Sequence, residues 1–570
     1  MNKRNSYPKD SSFESGLYQT LVRRIPPNSL SPYLEELIIE LTLALSLGEI
    51  DINLSEFNLR NNKHQQDLKE NPITDLLKSG WLDGENSLLV LEKDRLSFRR
   101  WYEDLNSVCE DLIRRSNLKQ SHSQEHNMDF DSIDFLNKQQ SNAVNAVKNQ
   151  KIIVLSGGPG TGKTSTILGM IEKALHINSN FKIGLATPTG KASRRLKNAM
   201  QNGLSKTNII FREKIYEIPC KTIHSWLESR NGQFKRNHQN LLPIDLLVID
   251  EMSMVDLSLM KSILLALPSK SQLILVGDPY QLPPIGIGNI WNHLHQESTL
   301  SKFGLGSIKL DKVYRNRGGI IKVSNLLKNK GLNTFWNEIE KLPKSSNIKY
   351  HCSNSNNIPP NLIKKLEKHF QTIKAKSNLL SVKLNNHEFS LENNTADILA
   401  SEELLDLIDD TLVLTPNKKG AWGVNHIHTT LLGNFLPYQN NPDLENGTPI
   451  MCTQNQDELN LANGDIGVVI GSKGNQRYLF RTYGEDEQWA TKLIHPARIK
   501  QIEPALAMTI HKSQGSEAKK VFLLWPEQPN SFTGKEPLSE ENRSYEIKLL
   551  YTAITRAKEE VHFYAKDRMI

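Results

Sequence analysis

The run Gly157-Gly158-Pro159-Gly160-Thr161-Gly162-Lys163-Thr164 has the residue types and spacing to hold phosphate. Glycines let backbone N–H groups turn inward around phosphate oxygens. A helix starting behind them adds the positive end of its dipole. Lys163 would reach the β- and γ-phosphates, and the Thr164 hydroxyl would ligate Mg²⁺. Further on, Leu246-Leu247-Val248-Ile249-Asp250-Glu251 is an apolar strand ending in two carboxylates. Side chains alternate along a strand, so these two point differently. Asp250 could hold Mg²⁺ through water while Glu251 polarises an attacking water. Each feature alone has a bland reading, a Gly-rich turn without ligand or a solvated strand end. In this order they describe one nucleotide-hydrolysing site.

Such a site needs a parallel sheet to present it. Short apolar runs at 151–157, 183–186, 246–249 and 273–276 predict its strands, with a helix over 165–175. A second α/β region is expected from about residue 320, with strands at 411–414, 505–509 and 521–524. Between them, about 446–503 is β-rich, with turns at Asn463-Gly464, Lys473-Gly474-Asn475 and Gly484-Glu485-Asp486. This predicts a small inserted barrel. Residues 1 to about 120 are expected to be helical. Leu34, Leu37, Ile38, Leu41 and Leu45 follow helical spacing, and Ile39, Leu43 and Leu47 widen the apolar arc. A polar stretch over 116–134 predicts a linker.

Composition narrows the class. The chain has 570 residues, 38% apolar and 23% charged, enough for several soluble domains. No run nears the roughly 20 clean apolar residues that span a membrane. No signal peptide is expected from the first ten residues. Cys109, Cys220, Cys352 and Cys452 form no C-x-x-C pair, so zinc and iron–sulfur sites are not expected. A cytoplasmic protein with reduced thiols is the expectation. Net charge is +7, unevenly spread. The first 135 residues carry 16 Lys and Arg against 23 Asp and Glu, a net of −7, which leaves +14 on the rest. A basic body suits a polyanion, although charge alone fits a solvated surface equally well.

Further motifs carry a family resemblance. Leu275-Val276-Gly277-Asp278-Pro279-Tyr280-Gln281-Leu282-Pro283-Pro284 resembles motif III of the superfamily 1 helicases, in which the Gln, here Gln281, senses the γ-phosphate. Gln140 resembles their adenine-reading Gln. Val313-Tyr314-Arg315 resembles motif IV, and Tyr551-Thr552-Ala553-Ile554-Thr555-Arg556-Ala557 resembles motif VI. The resemblance implies that Arg315 and Arg556 reach ATP from a second domain, stabilising charge in the transition state. Ala186-Thr187-Pro188-Thr189-Gly190-Lys191-Ala192 and Thr222-Ile223-His224-Ser225-Trp226 resemble motifs Ia and Ib. The segment from Ala507 through Thr509, His511, Ser513 and Gln514 to Glu517 resembles motif V. These imply sequence-blind DNA contacts by Thr187, Pro188, Thr189, Thr222, His224, Thr509, His511, Ser513 and Gln514. For each His, a loop residue without ligand is the commoner case.

Asn231-Gly232, flanked by Arg230, Lys235 and Arg236, is a hairpin signal. In RecD-like helicases a β-hairpin here, at about 227–241, wedges the duplex fork; a plain surface loop is the alternative. The segments 414–425 and 463–468 also resemble the RecD family. That resemblance implies two RecA-like motor domains with parallel sheets, at 121–330 and 331–570. It adds a helical N-terminal partner-binding domain over 1–120 and an SH3-like barrel at about 446–503. It further implies a 5′-to-3′ DNA helicase using ATP and Mg²⁺, acting on single-stranded DNA and duplex ends. The implied partners are RecB-like and RecC-like subunits in a heterotrimer. No nuclease motif cluster stands out, so nuclease activity is expected in a partner. A stand-alone RecD-like helicase is the alternative, and an ATP-gated DNA scaffold is a third reading.

Overall fold

The computed structural model describes residues 13–28, 31–62, 72–85, 87–118, 136–230, 232–314, 318–343, 347–353, 355–392, 394–433, 444–483, 489–526 and 540–566. Arg315, Asn231, the turn at 484–486 and most of the expected linker lie outside these residues.

Near the N-terminus, helix α1 (Pro32–Ser46) is capped by Ser31, whose side chain accepts from the Leu34 N–H. Its apolar arc is filled within its own unit. Leu34, Leu37, Ile38, Leu41 and Leu45 share a core with Phe57, Leu76, Trp81, Leu89 and Leu96. The sequence predicts a helical unit, but the unit is mixed. It includes a three-stranded antiparallel sheet of Asp51–Asn53, Arg95–Phe98 and Leu89–Glu92. Helix α2 (Arg99–Ser116) follows.

The first large sheet has six parallel strands, in the order Ser307–Leu310, Ile152–Gly157, Gln272–Gly277, Leu246–Ile249, Ile183–Thr187, Cys220–Thr222. The four inner strands are buried throughout, which is why their sequences are continuous apolar runs. Helices α3 (Lys163–Ile177) and α4 (Gly190–Gly203) follow the strands Ile152–Gly157 and Ile183–Thr187. Helix α5 (Leu257–Ala266) packs against α2. Leu105, Val108, Cys109 and Leu112 of α2 belong to the same core as Leu257, Met260, Ile263 and Leu264 of α5. The Arg115 guanidinium donates to the carbonyls of Leu264, Leu267 and Pro268, so it covers the open carbonyl end of α5.

The second large sheet has five parallel strands, in the order Ile348–Cys352, Ala557–Ala565, Ala518–Trp525, Thr411–Thr415, Met508–Thr509. Helices α6 (Gly318–Ile339) and α7 (Glu540–Thr555) cover it. The strand expected over 505–509 is shorter, because the Ala505 N–H bonds to Pro449 in the neighbouring sheet. That neighbour is the insert, five antiparallel strands ordered Trp489–Ile494, Arg477–Tyr483, Ile466–Ile470, Pro449–Cys452, Ile502–Pro504. Gly464 and Gly474 turn at φ +92° and +93°, as the turn signals predict. The outer strands of this sheet do not pair among the described residues, so it is an open sheet rather than a closed barrel.

His428 supplies a pH test of this packing. Its buried ring sits 3.1 Å from the Ala507 carbonyl, and burial lowers its pKa from 6.5 to about 4. Between those values the unfolded chain binds the proton and the fold does not. Stability is therefore full above about pH 6.5 and is lost as pH falls toward 4, by up to about 3 kcal/mol from this group. His428→Gln should shrink the difference in unfolding free energy between pH 7 and pH 4.5. An equal difference in the variant would place the loss elsewhere.

Candidate active site

The phosphate-type loop joins the buried strand Ile152–Gly157 to α3. Gly160 and Gly162 hold φ of +79° and +85°, a region that side chains disfavour. The Lys163 ammonium donates to the carbonyls of Gly157 at 2.7 Å and Gly158 at 3.3 Å. Thr161 also donates to Gly158, 2.8 Å. Pro159 and Thr164 are half-buried, in the loop and in the first turn of α3. Gln140 forms a capping box with Asn137, and its amide nitrogen donates to the Thr161 carbonyl. Its oxygen also accepts from the Tyr314 hydroxyl, 3.2 Å. Both polar atoms of the expected adenine reader are thus engaged by protein.

Asp250 and Glu251 end the strand Leu246–Ile249, both buried. Burial raises the Asp250 pKa, and the neighbouring Glu251 charge adds to the rise. Burial also works against the charged form of Glu251. There Arg195, Arg556 and Lys163 outweigh it and hold the carboxyl below its usual range. The two carboxyls are thereby driven in opposite directions.

Arg556, fully buried at the end of α7, donates to the carbonyls of Thr552 and Ser516. It comes from the second sheet's side yet lies within electrostatic reach of Glu251. Gln281 is buried, and its side-chain oxygen has no hydrogen-bond partner among the described residues. Next to it, Leu282 crosses into the other half of the molecule. Its side chain joins the second unit's core, its N–H donates to Thr552 Oγ1 (2.9 Å), and its carbonyl accepts from Gln514 Nε2 (3.3 Å). Asp278 accepts from the Tyr551 hydroxyl, 2.8 Å. Beside the loop is a cavity of about 310 Å³ lined by Gly158, Asp278, Tyr280, Lys328 and Tyr551. Lys328 lies over the Tyr280 and Tyr551 rings, at 4.4 and 4.6 Å. Sequence reasoning missed Lys328 and Arg195. For Arg195 the available signal is the Arg194-Arg195 doublet behind motif Ia.

The nine residues expected to touch DNA divide. His224 is exposed, and Pro188 is half-buried. Thr189 and Thr222 are half-buried, and each caps a helix, accepting from Ala192 and Ser225 N–H groups. Thr187 is buried and donates to the Thr189 carbonyl. Half-buried Thr509 accepts from the Lys512 N–H, and His511 pairs with the Tyr545 hydroxyl at 2.6 Å. Ser513 and Gln514 are buried and donate to the carbonyls of Ile510 and Leu282. Ser513 thus braces motif V internally, while Gln514 ties it to the motif III loop.

At the hairpin, Ser229–Arg230 pairs with Gln233–Phe234, and Gly232 turns at φ +77°. Glu228 ties down Lys235 and Arg236 at the base, leaving Arg230 exposed near the tip.

Residues 140–287 match the family described as AAA domain, and residues 504–564 match the UvrD-like helicase C-terminal domain. The RecBCD enzyme subunit RecD of Mycolicibacterium smegmatis is 29% identical over 542 residues, covering 92% of this chain and 88% of that one. RecD of Haemophilus influenzae is 27% identical, over 73% and 67%. The chain is similar to the RecD group of superfamily 1 helicases over most of its length. An ATP-dependent RecD2 DNA helicase of Deinococcus radiodurans is 25% identical over 74% of this chain and 48% of its own. Among solved structures, Bacteroides Pif1 bound to ssDNA aligns with 17% identity and a TM-score of 0.39, over 76% of this chain and 92% of that one. No helix among the described residues is long and apolar enough to cross a membrane.

Proposed function

We propose that this chain is the 5′-to-3′ ATP-dependent DNA helicase subunit of a RecBCD-type complex that processes double-strand breaks for recombination. The observation that carries the motor reading is that the two sheet units close on the glycine loop, where Tyr551 donates to Asp278 and Leu282 bonds to Thr552, with buried Arg556 on the same helix end within electrostatic reach of Glu251. In this reading the loop 157–164 cradles the phosphates, Lys163 neutralises them, and Glu251 orients the attacking water. Gln281, with its unpartnered buried oxygen, contacts the γ-phosphate or that water. Gln140 and Tyr314 flank the base, and Arg315 and Arg556 answer charge as it develops. Among the described residues no three or more His, Cys, Asp or Glu converge as a metal site. Mg²⁺ would be held by Thr164, by Asp250 and by the nucleotide's own phosphates.

The first motor domain, 121–330, is proposed to take in α2 as well, since α2 and α5 share one core. The partner-binding unit for a RecC-like chain then ends ahead of α2. The second motor domain is 331–570, and the open sheet at 446–503 fills the place of the SH3-like barrel. The compartment is the cytoplasm. The stand-alone alternative rests on the likeness to RecD2. Pull-down with RecB-like and RecC-like chains separates the two readings.

The decisive assay uses duplexes with a 5′ or a 3′ single-stranded tail. The chain should open the 5′-tailed substrate; preference for the 3′ tail would sink the polarity. Replacing residues 230–236 with a Gly/Ser linker should keep ATPase on single strands while strand separation drops. Each base-pair step costs about 1.4 kcal/mol of stacking, which a wedge can keep from re-forming. Equal loss of both activities would instead make the hairpin a general DNA contact or a folding element.

A further inference from the structure

Arg195 has no role in the motifs read from sequence, yet it touches both halves of the molecule at the reaction centre. Its guanidinium is hydrogen-bonded to Glu251 Oε1, and it stands 3.6 Å from Glu517 Oε1 on the second unit. The Glu251 side chain is 4% exposed, so one oxygen of a buried carboxylate is taken by a charge-assisted bond. A carboxylate that orients a water must accept a hydrogen bond from it, in a geometry that Arg195 now shapes.

The helix carrying Arg195 is placed to respond to a bound strand. Its N-cap is Thr189 of motif Ia. Thr189 Oγ1 lies 3.4 Å from where a Cβ on Gly515 of motif V would sit. The preceding residue, Arg194, is bonded to Asp465 of the insert. Helix α4 therefore couples three surfaces to one arginine: motif Ia, motif V and the insert. Any strand that separates motif Ia from motif V must change the balance between Glu251 and Glu517 as partners of Arg195.

We propose that Arg195 is a positioning residue that restrains Glu251 in the DNA-free protein and is drawn toward Glu517 when a strand engages the cleft. Hydrolysis is thereby linked to DNA. The inference rests on the ATPase reading above and deepens it.

The test measures kcat and KM for ATP, with and without saturating single-stranded DNA. In Arg195→Gln the DNA-free kcat should rise severalfold, and the ratio of DNA-bound to DNA-free rates should fall toward one. Arg195→Lys, which keeps a charge, should retain a low DNA-free rate. Glu517→Gln should lower the DNA-saturated kcat with little change in KM, and it serves if Arg195→Gln does not fold. A DNA-free rate that stays level or falls in Arg195→Gln, with DNA stimulation retained, overturns the restraint. Loss of turnover under both conditions also overturns it, and makes Arg195 a support that catalysis needs. A parent chain without any DNA-stimulated ATPase is a different failure, because it removes the reading of function itself.

Discussion

Lys163→Ala should leave a folded protein that no longer turns over ATP. The ammonium lies within the glycine loop, donating to the carbonyls of Gly157 and Gly158, and contributes nothing to an apolar core. Removing those bonds costs at most about 2 kcal/mol of local stability, since the group is only half-buried. The catalytic loss is far larger. Taking away a preorganised donor to developing charge lowers kcat by roughly 10²–10³-fold or more. Circular dichroism and thermal melting should match the parent closely while DNA-stimulated phosphate release disappears. Residual turnover near the parent's would mean that the loop does not hold the reacting phosphates.

The second large effect is at Arg556. Arg556→Ala should lower kcat by roughly 10³–10⁵-fold, the range for an arginine supplied across a domain boundary. That corresponds to about 4–7 kcal/mol. KM should move little, because in the proposed role the guanidinium answers charge that develops during the reaction. The buried side chain also donates to the carbonyls of Thr552 and Ser516, so some destabilisation accompanies the loss. Arg556→Lys separates the two effects. It keeps a cation, but not the planar fork that reaches both carbonyls. Unchanged kcat on DNA in Arg556→Ala would remove motif VI from the site.

What was legible in the sequence follows physical lines. The central strands of the first sheet are buried on both faces, so Ile152–Gly157 and Leu246–Ile249 stand out as apolar runs. Strands that went unread include Ser307–Leu310, Cys220–Thr222 and Ile348–Cys352, all at sheet edges. Half exposed and short, they carry no continuous run. Ala557–Ala565 is an inner strand, but it opens on Lys558, Glu559 and Glu560, which masks it. The loop glycines and the paired acids were readable because few other arrangements use those types at that spacing. Thr189 and Thr222 show the converse. A hydroxyl before a helix suits a phosphate and a cap equally well, and sequence does not separate the two. The apolar arc of α1 announced a buried helix without saying what covers it. The cover is its own unit's Phe57, Leu76 and Trp81.

Leu282 constrains the kinematics of the whole machine. Its side chain is seated in the far unit's core, while the residue itself belongs to the loop leaving the near unit's sheet. While that seat holds, the two halves cannot simply part along a line. A swivel about a point beside Gln281 is the motion that keeps Leu282 seated. Displacement then grows with distance from that point, small at the glycine loop and large at the rim of the cleft. A fraction of an ångström gained or lost beside the glycine loop would be geared up into a longer displacement at the rim.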